Sequence, residues 1–189
     1  ASPWYAEGAQ LPWPDSSYGT SLPSYFSKYE LYAPVYYPED PPYSWFGNYS
    51  LTKDHVVEAI NDGYGLIWHV DHCSQYSFGT GRNYNADPQR FIFKSDATNL
   101  TNGNKTSILW TLGCDPNAFN YESISESFMN NPNGGTVAFI GNSVYGLFGY
   151  EWQGNWIFRS LFHYNIWNLG DAFRSVQVFC FSDHWTKCI

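Results

Sequence analysis

The chain has 189 residues, enough for one domain whose core needs neither metal nor disulfide to hold it. Nine Lys and Arg against seventeen Asp and Glu give a net charge of −8, which removes any broad electrostatic basis for binding nucleic acid or an anionic membrane. Charged residues make up 14% and aromatics 21%, which excludes a disordered chain, and no apolar run approaches the ~18 residues that span a bilayer.

Residues 1–20 lack the basic start and apolar run of a signal peptide, so we expect either that a signal has been removed or that this is an internal piece of something longer. Eight of the eleven prolines fall within residues 1–42, interleaved with Trp, Tyr and Phe. Proline denies this stretch a regular ladder, so residues 1–50 read as an extended arm with one short strand near Leu31–Tyr37. From Leu51 the pattern changes. Val56, Val57 and Ile60 share one face of a helix capped by Thr52 or Asp54 and closed by Gly63. Gly65–Val70 is a short apolar run of the kind that forms a buried strand. A polar, glycine-containing stretch follows, then a second buried strand over Thr106–Leu112 and a short helix over Glu122–Met129. A turn at Pro132–Gly135 leads into a third strand, Thr136–Gly141, and Trp156–Trp167 has helical spacing that stops before Gly170. Strands separated by helices predict an α/β fold, a mostly parallel sheet with helices on both faces, over residues 51–189.

In open parallel sheets, reactive side chains gather beyond the C-terminal ends of the strands. The first strand runs out into His69-Val70-Asp71-His72-Cys73 and the second into Gly113-Cys114-Asp115. If the two are neighbours, His72 and Cys114 leave the sheet side by side, as a thiol nucleophile and an imidazole that manages its proton. The bland alternatives are a buried Cys114 acting as a small hydrophobe and a His72 that is only a polar loop residue. His69, Asp71, His72 and Cys73 also have the composition of a metal cluster, but strand side chains alternate, which keeps His69 and His72 from converging. Glu126 fits a solvated helix face better than a supporting role, and His163 and His184 fit the surface or the core. Cys73, Cys114, Cys180 and Cys188 allow three disulfide pairings and sequence selects none, although Cys180 and Cys188 are close enough to staple a terminal loop. Sequons at Asn48, Asn99 and Asn104, few lysines and four cysteines favour a secreted or cell-surface protein.

These residues also resemble the catalytic domain of the gingipain-like cysteine peptidases, relatives of caspases and legumain. The resemblance runs from about Leu51 to Val178 through Ile60-Asn61-Asp62-Gly63, Leu66–His72, Leu112–Phe119, Ser123–Phe128, Gly134–Ser143 and Leu169–Phe173, in that order. It implies a caspase-like three-layer sandwich and endopeptidase activity, with His72 in the family's His-Gly position and Cys114, ahead of Phe119, as nucleophile. It further implies an oxyanion held by the backbone N–H groups of Cys73 and Cys114. Cys73 stands where the family has glycine, and a Cys73–Cys114 disulfide would silence the site. The resemblance implies no cofactor, and structural calcium near Asp71 and Asp115 has no supporting motif. The expected partner is a protein or peptide substrate, with no nucleic acid and no membrane span; oligomeric state is open. Two other functions compete: an inactive homologue serving as a binding or assembly module, and a carbohydrate-binding surface protein using some of the 9 Trp and 16 Tyr.

Overall fold

The computed structural model describes residues 31–32, 49–50, 52–80, 91–146 and 151–182. These fall into two compact units, residues 31–146 and residues 151–182. In the first, β1 (Leu31–Tyr32) pairs in parallel with β2 (Tyr49–Ser50), so the expected short strand exists; the rest of the proposed arm lies outside the described residues. Helix α1 (Lys53–Asp62) starts where the Thr52 hydroxyl accepts from His55 N–H at 3.3 Å and ends at Gly63, with φ at 89°. Thr52, not Asp54, is therefore the cap; Asp54 sits in the first turn, where a carboxylate suits the helix dipole.

Strands β3 (Leu66–His69), β7 (Ser107–Thr111) and β8 (Thr136–Ile140) form a parallel sheet in the order β3-β7-β8, each within a residue or two of its expected bounds. Their register puts Ile67, Leu109 and Phe139 side by side on one face and Trp68, Trp110 and Ile140 on the other. The first face carries the core: Leu109 clusters with Val56 and Ile60 of α1, Ala97 of α2 (Lys94–Thr98), Leu100 just beyond it, and Ile124 and Phe128 of α3 (Ile124–Met129). Removing this much apolar surface from water is the main force holding the unit together. The i, i+4 spacing expected for α3 is what buries Ile124 and Phe128, although the helix begins two residues later than Glu122.

One difference from the sequence reading matters for the site. The stretch taken as merely polar and glycine-containing folds as a second sheet, antiparallel, of β4 (Cys73–Ser74), β5 (Ser77–Gly79) and β6 (Phe91–Phe93), followed by α2. Strands of two or three residues carry no readable alternation. Their contribution is a single inward residue each from β5 and β6, Phe78 and Ile92, both fully buried.

The second unit is a pair of packed helices, α4 (Glu151–Phe162) and α5 (Leu169–Ser182). Helix α4 stops five residues before Trp167, where His163 and Tyr164 N–H both turn back to the Arg159 carbonyl and Asn165 takes a left-handed φ of 55°. Helix α5 was not anticipated. Gly170 read as a stop, but Asn168 accepts from Asp171 N–H at 3.1 Å and so caps a new helix, with Gly170 in its first turn. Among the described residues no helix is long and apolar enough to cross a membrane.

Candidate active site

The register fixes the relation between the two predicted reactive residues. His69 ends β3, Thr111 ends β7, and the two are Cα partners on adjacent parallel strands. His72 and Cys114 each lie three residues further on (72 − 69 and 114 − 111), so both leave the sheet at the same level of its C-terminal edge. His72 is exposed, and its N–H donates to Asp71 Oδ1 at 2.6 Å. Cys114 is half-buried, with its thiol 3.7 Å from the Gly146 carbonyl.

The chain turns sharply just after the cysteine. Asp115 adopts φ 57°, a left-handed conformation that Asp tolerates better than most residues, and its N–H donates to the Val144 carbonyl at 2.9 Å. Asn142, past the end of β8, holds the other side: its Nδ2 donates to the carbonyls of Leu112 and Gly113 at 3.1 and 2.9 Å. Asn117 mirrors this by donating to Gly141 at 2.9 Å. The Cys114 turn is thus pinned by backbone and amide bonds from the loop that follows β8.

Beneath the edge lies a buried polar group that sequence reasoning did not assign. His69 is almost wholly buried and stacks on Phe78, ring centroids 3.5 Å apart. Its Nδ1 is 2.7 Å from Thr111 Oγ1 and its Nε2 is 2.8 Å from the Gly79 carbonyl. A carbonyl only accepts, so Nε2 carries the proton and Nδ1 accepts from the threonine hydroxyl. Burial pushes the imidazole down to about 4, outweighing the opposing pull of Asp71 and of the Gly79 carbonyl, so His69 is neutral at physiological pH. Thr111 Oγ1 accepts in turn from Gly113 N–H at 3.1 Å and lies 3.4 Å from the Cys73 thiol.

Cys73 and Cys114 both carry free thiols, so the disulfide considered between them is absent here. Burial pushes the Cys73 thiol up to about 12, which keeps it protonated and unsuited to attack. Its sulfur fills the space beside Gly113: a Cβ built on that glycine would stand 2.2 Å from Cys73 Sγ and 2.8 Å from the Asp71 carbonyl. The Gly79 N–H donates to the His72 carbonyl at 2.8 Å, which makes Cys73 and Phe78 a non-hydrogen-bonded pair of the β4–β5 ladder. The Cys73 N–H therefore faces away from β5.

The other candidates separate. Among the described residues no group of three or more His, Cys, Asp or Glu is placed to hold a metal ion, and His69 points into the core while His72 is at the surface. Glu126 and His163 are exposed, as expected, and so is Phe119, at 91%. His184, Cys188 and the Cys180 side chain lie outside the described residues, so the staple between the two cysteines does too.

No curated protein matches the chain. Two solved structures similar to it are the Arg-specific cysteine proteinase gingipain R, at 20% identity and a TM-score of 0.50, and the complex of RgpB pro- and mature domains from Porphyromonas gingivalis, at 21% and 0.47. Each match covers 60% of this chain, and the chain spans about a quarter of the matched structures, 26% and 27%. The likeness to gingipain R carries the fold, the α/β class of caspase-like type expected from the sequence. The family model for peptidase family C25 matches residues 15–187, nearly the whole chain. The chain belongs to peptidase family C25, the gingipain family of cysteine peptidases.

Proposed function

We propose that this chain is a secreted or cell-surface cysteine endopeptidase in which Cys114 is the nucleophile and His72 its proton-handling partner. The observation that carries this reading is the matched exit of His72 and Cys114, three residues beyond the paired ends of adjacent parallel strands. Cys114 transfers its thiol proton to the imidazole and Sγ attacks the scissile carbonyl carbon, giving a tetrahedral oxyanion. The N–H groups of Cys73 and Cys114 donate to that oxygen; a backbone donor survives the replacement of glycine by cysteine. The oxyanion collapses, the C–N bond breaks, and His72 gives its proton to the departing amine. Water, with its proton taken by His72, then attacks the thioester and releases the acid and the free thiol.

The partner is a peptide or protein, and the reaction as written uses no cofactor. We take residues 51–189 as the peptidase part and residues 1–50 as a segment that accompanies it. A second reading, an inactive homologue serving as a binding module, draws on the Cys73 thiol packed where the family resemblance expects glycine. Iodoacetamide alkylation of the native protein, mapped by peptide mass spectrometry, separates the two. Fast modification of Cys114 that slows at least tenfold in His72→Ala supports the peptidase. An inert Cys114, or one indifferent to His72, leaves the binding module.

A further inference from the structure

His72 and Cys114 are held in register by more than the parallel sheet. Four hydrogen bonds run through the interior from the His72 backbone to that of Gly113, next to Cys114. The His72 carbonyl accepts from Gly79 N–H at 2.8 Å, and the Gly79 carbonyl accepts from His69 Nε2–H at 2.8 Å. His69 Nδ1 accepts from the Thr111 hydroxyl at 2.7 Å, and Thr111 Oγ1 accepts from the N–H of Gly113, the residue before Cys114, at 3.1 Å.

We propose that His69 and Thr111 are positioning residues, an imidazole–hydroxyl strut that sets the distance between the His72 and Cys114 backbones. The proposal rests on the reading of those two as the reacting pair. Each polar atom along the strut has a partner. The hydroxyl is 2.7 Å from Nδ1 and accepts from Gly113 N–H, the Cys73 thiol lies 3.4 Å from that hydroxyl and 3.9 Å from Nδ1, and the imidazole donates through Nε2 and accepts at Nδ1. Only the Nε2–H tautomer satisfies the Gly79 carbonyl and leaves Nδ1 free to accept, so the imidazole has one orientation of its proton along the strut. It is also short at both ends. A Cβ on Gly79 would meet the His72 carbonyl at 2.7 Å, and one on Gly113 would meet Cys73 Sγ at 2.2 Å, so both glycines permit approaches that no larger residue allows. A neutral imidazole, held so by burial, keeps the same arrangement across the pH range where a thiol–imidazole pair works. Stacking of His69 on Phe78, itself in the core cluster, ties the strut to the buried core of the unit.

The strut serves geometry and not merely stability if removing it changes Cys114 reactivity in protein that is still folded. The test compares Thr111→Val, which keeps the side-chain shape and removes the hydroxyl, with Thr111→Ser, which keeps the hydroxyl. The quantity read is the second-order rate of iodoacetamide alkylation at Cys114 between pH 5 and 9, per folded molecule, with folding checked by thermal melting. We expect Thr111→Val to slow alkylation by roughly tenfold or more and to move the pH profile toward that of His72→Ala, because small displacements of a reacting pair are costly. Thr111→Ser retains the wild-type profile. A Thr111→Val protein that is folded and has the wild-type profile overturns the proposal. If Thr111→Val does not fold, His69→Phe, which keeps a stacked ring without its nitrogens, is read in the same way. A wild-type rate that His72→Ala leaves unchanged sinks the catalytic reading itself, a different failure from an effect of His72 without one of Thr111.

Discussion

Lowering the pH toward 4 tests the buried state of His69 directly. In the folded chain burial holds the imidazole down to about 4, against an ordinary value of 6.5. Between those values the unfolded chain binds a proton that the folded one refuses, so stability is complete above about pH 6.5 and falls as the pH drops toward 4. A separation of about 2.5 pH units, at about 1.4 kcal/mol each, amounts to about 3 kcal/mol, a large share of the 5–15 kcal/mol that a domain usually has. Other groups titrate in the same range, so the informative quantity is a difference between proteins. Urea unfolding at pH 7, 5.5 and 4.5 would be compared for wild type and His69→Gln, whose amide can donate and accept but does not titrate. The variant should lose markedly less stability over the interval, by up to about 2–3 kcal/mol. Equal losses in both proteins would refute a neutral, buried His69.

Cys73, with its thiol pushed up to about 12 from 9, should be alkylated about a thousandfold more slowly than an unperturbed thiol in the native protein and normally once unfolded; mass spectrometry before and after denaturation checks this. Gly113→Ala should destabilise by roughly 1–3 kcal/mol, because its methyl would meet the Cys73 sulfur, and Cys73→Gly should restore only part of the loss, since the Asp71 carbonyl also stands in the way. A full rescue, measured by urea denaturation, would show that the backbone yields instead. Phe128→Ala removes a fully buried ring that packs near Phe78 and Phe139 and should cost about 3–5 kcal/mol. Thr52→Ala should cost about 1 kcal/mol through loss of the α1 cap.

The pattern of apolar runs made the parallel sheet legible because Leu66–His69, Ser107–Thr111 and Thr136–Ile140 are short apolar runs bounded by turn residues, although only the central Ser107–Thr111 is buried along most of its length and the two outer strands are mostly half-buried. It also made the edge legible: a histidine and a cysteine beyond consecutive strands stand out once those strands are neighbours. What stayed hidden had no period to read. The strands β4, β5 and β6 are too short, and a cap at Asn168 turned Gly170 from a stop into part of a first turn. In the sequence His69 stands out only as a member of a possible metal cluster and Thr111 only as a strand residue, although a polar side chain at the end of an apolar run needs a partner. Their partners, Gly79 and Gly113, sit in a hairpin and a turn that the sequence does not connect. Asn142 and Asn117 escaped for the same reason: each acts across roughly 25–30 residues, on carbonyls rather than on a motif.

The most direct measurement of the central claim is hydrolysis of a fluorogenic peptide library by the chain and by Cys114→Ala, His72→Ala and Cys73→Ala, each shown by melting to be folded. The account predicts cleavage by the wild type and by Cys73→Ala, none by Cys114→Ala, and at most a small residue by His72→Ala. Cleavage that survives Cys114→Ala, or that disappears only with Cys73→Ala, would contradict it.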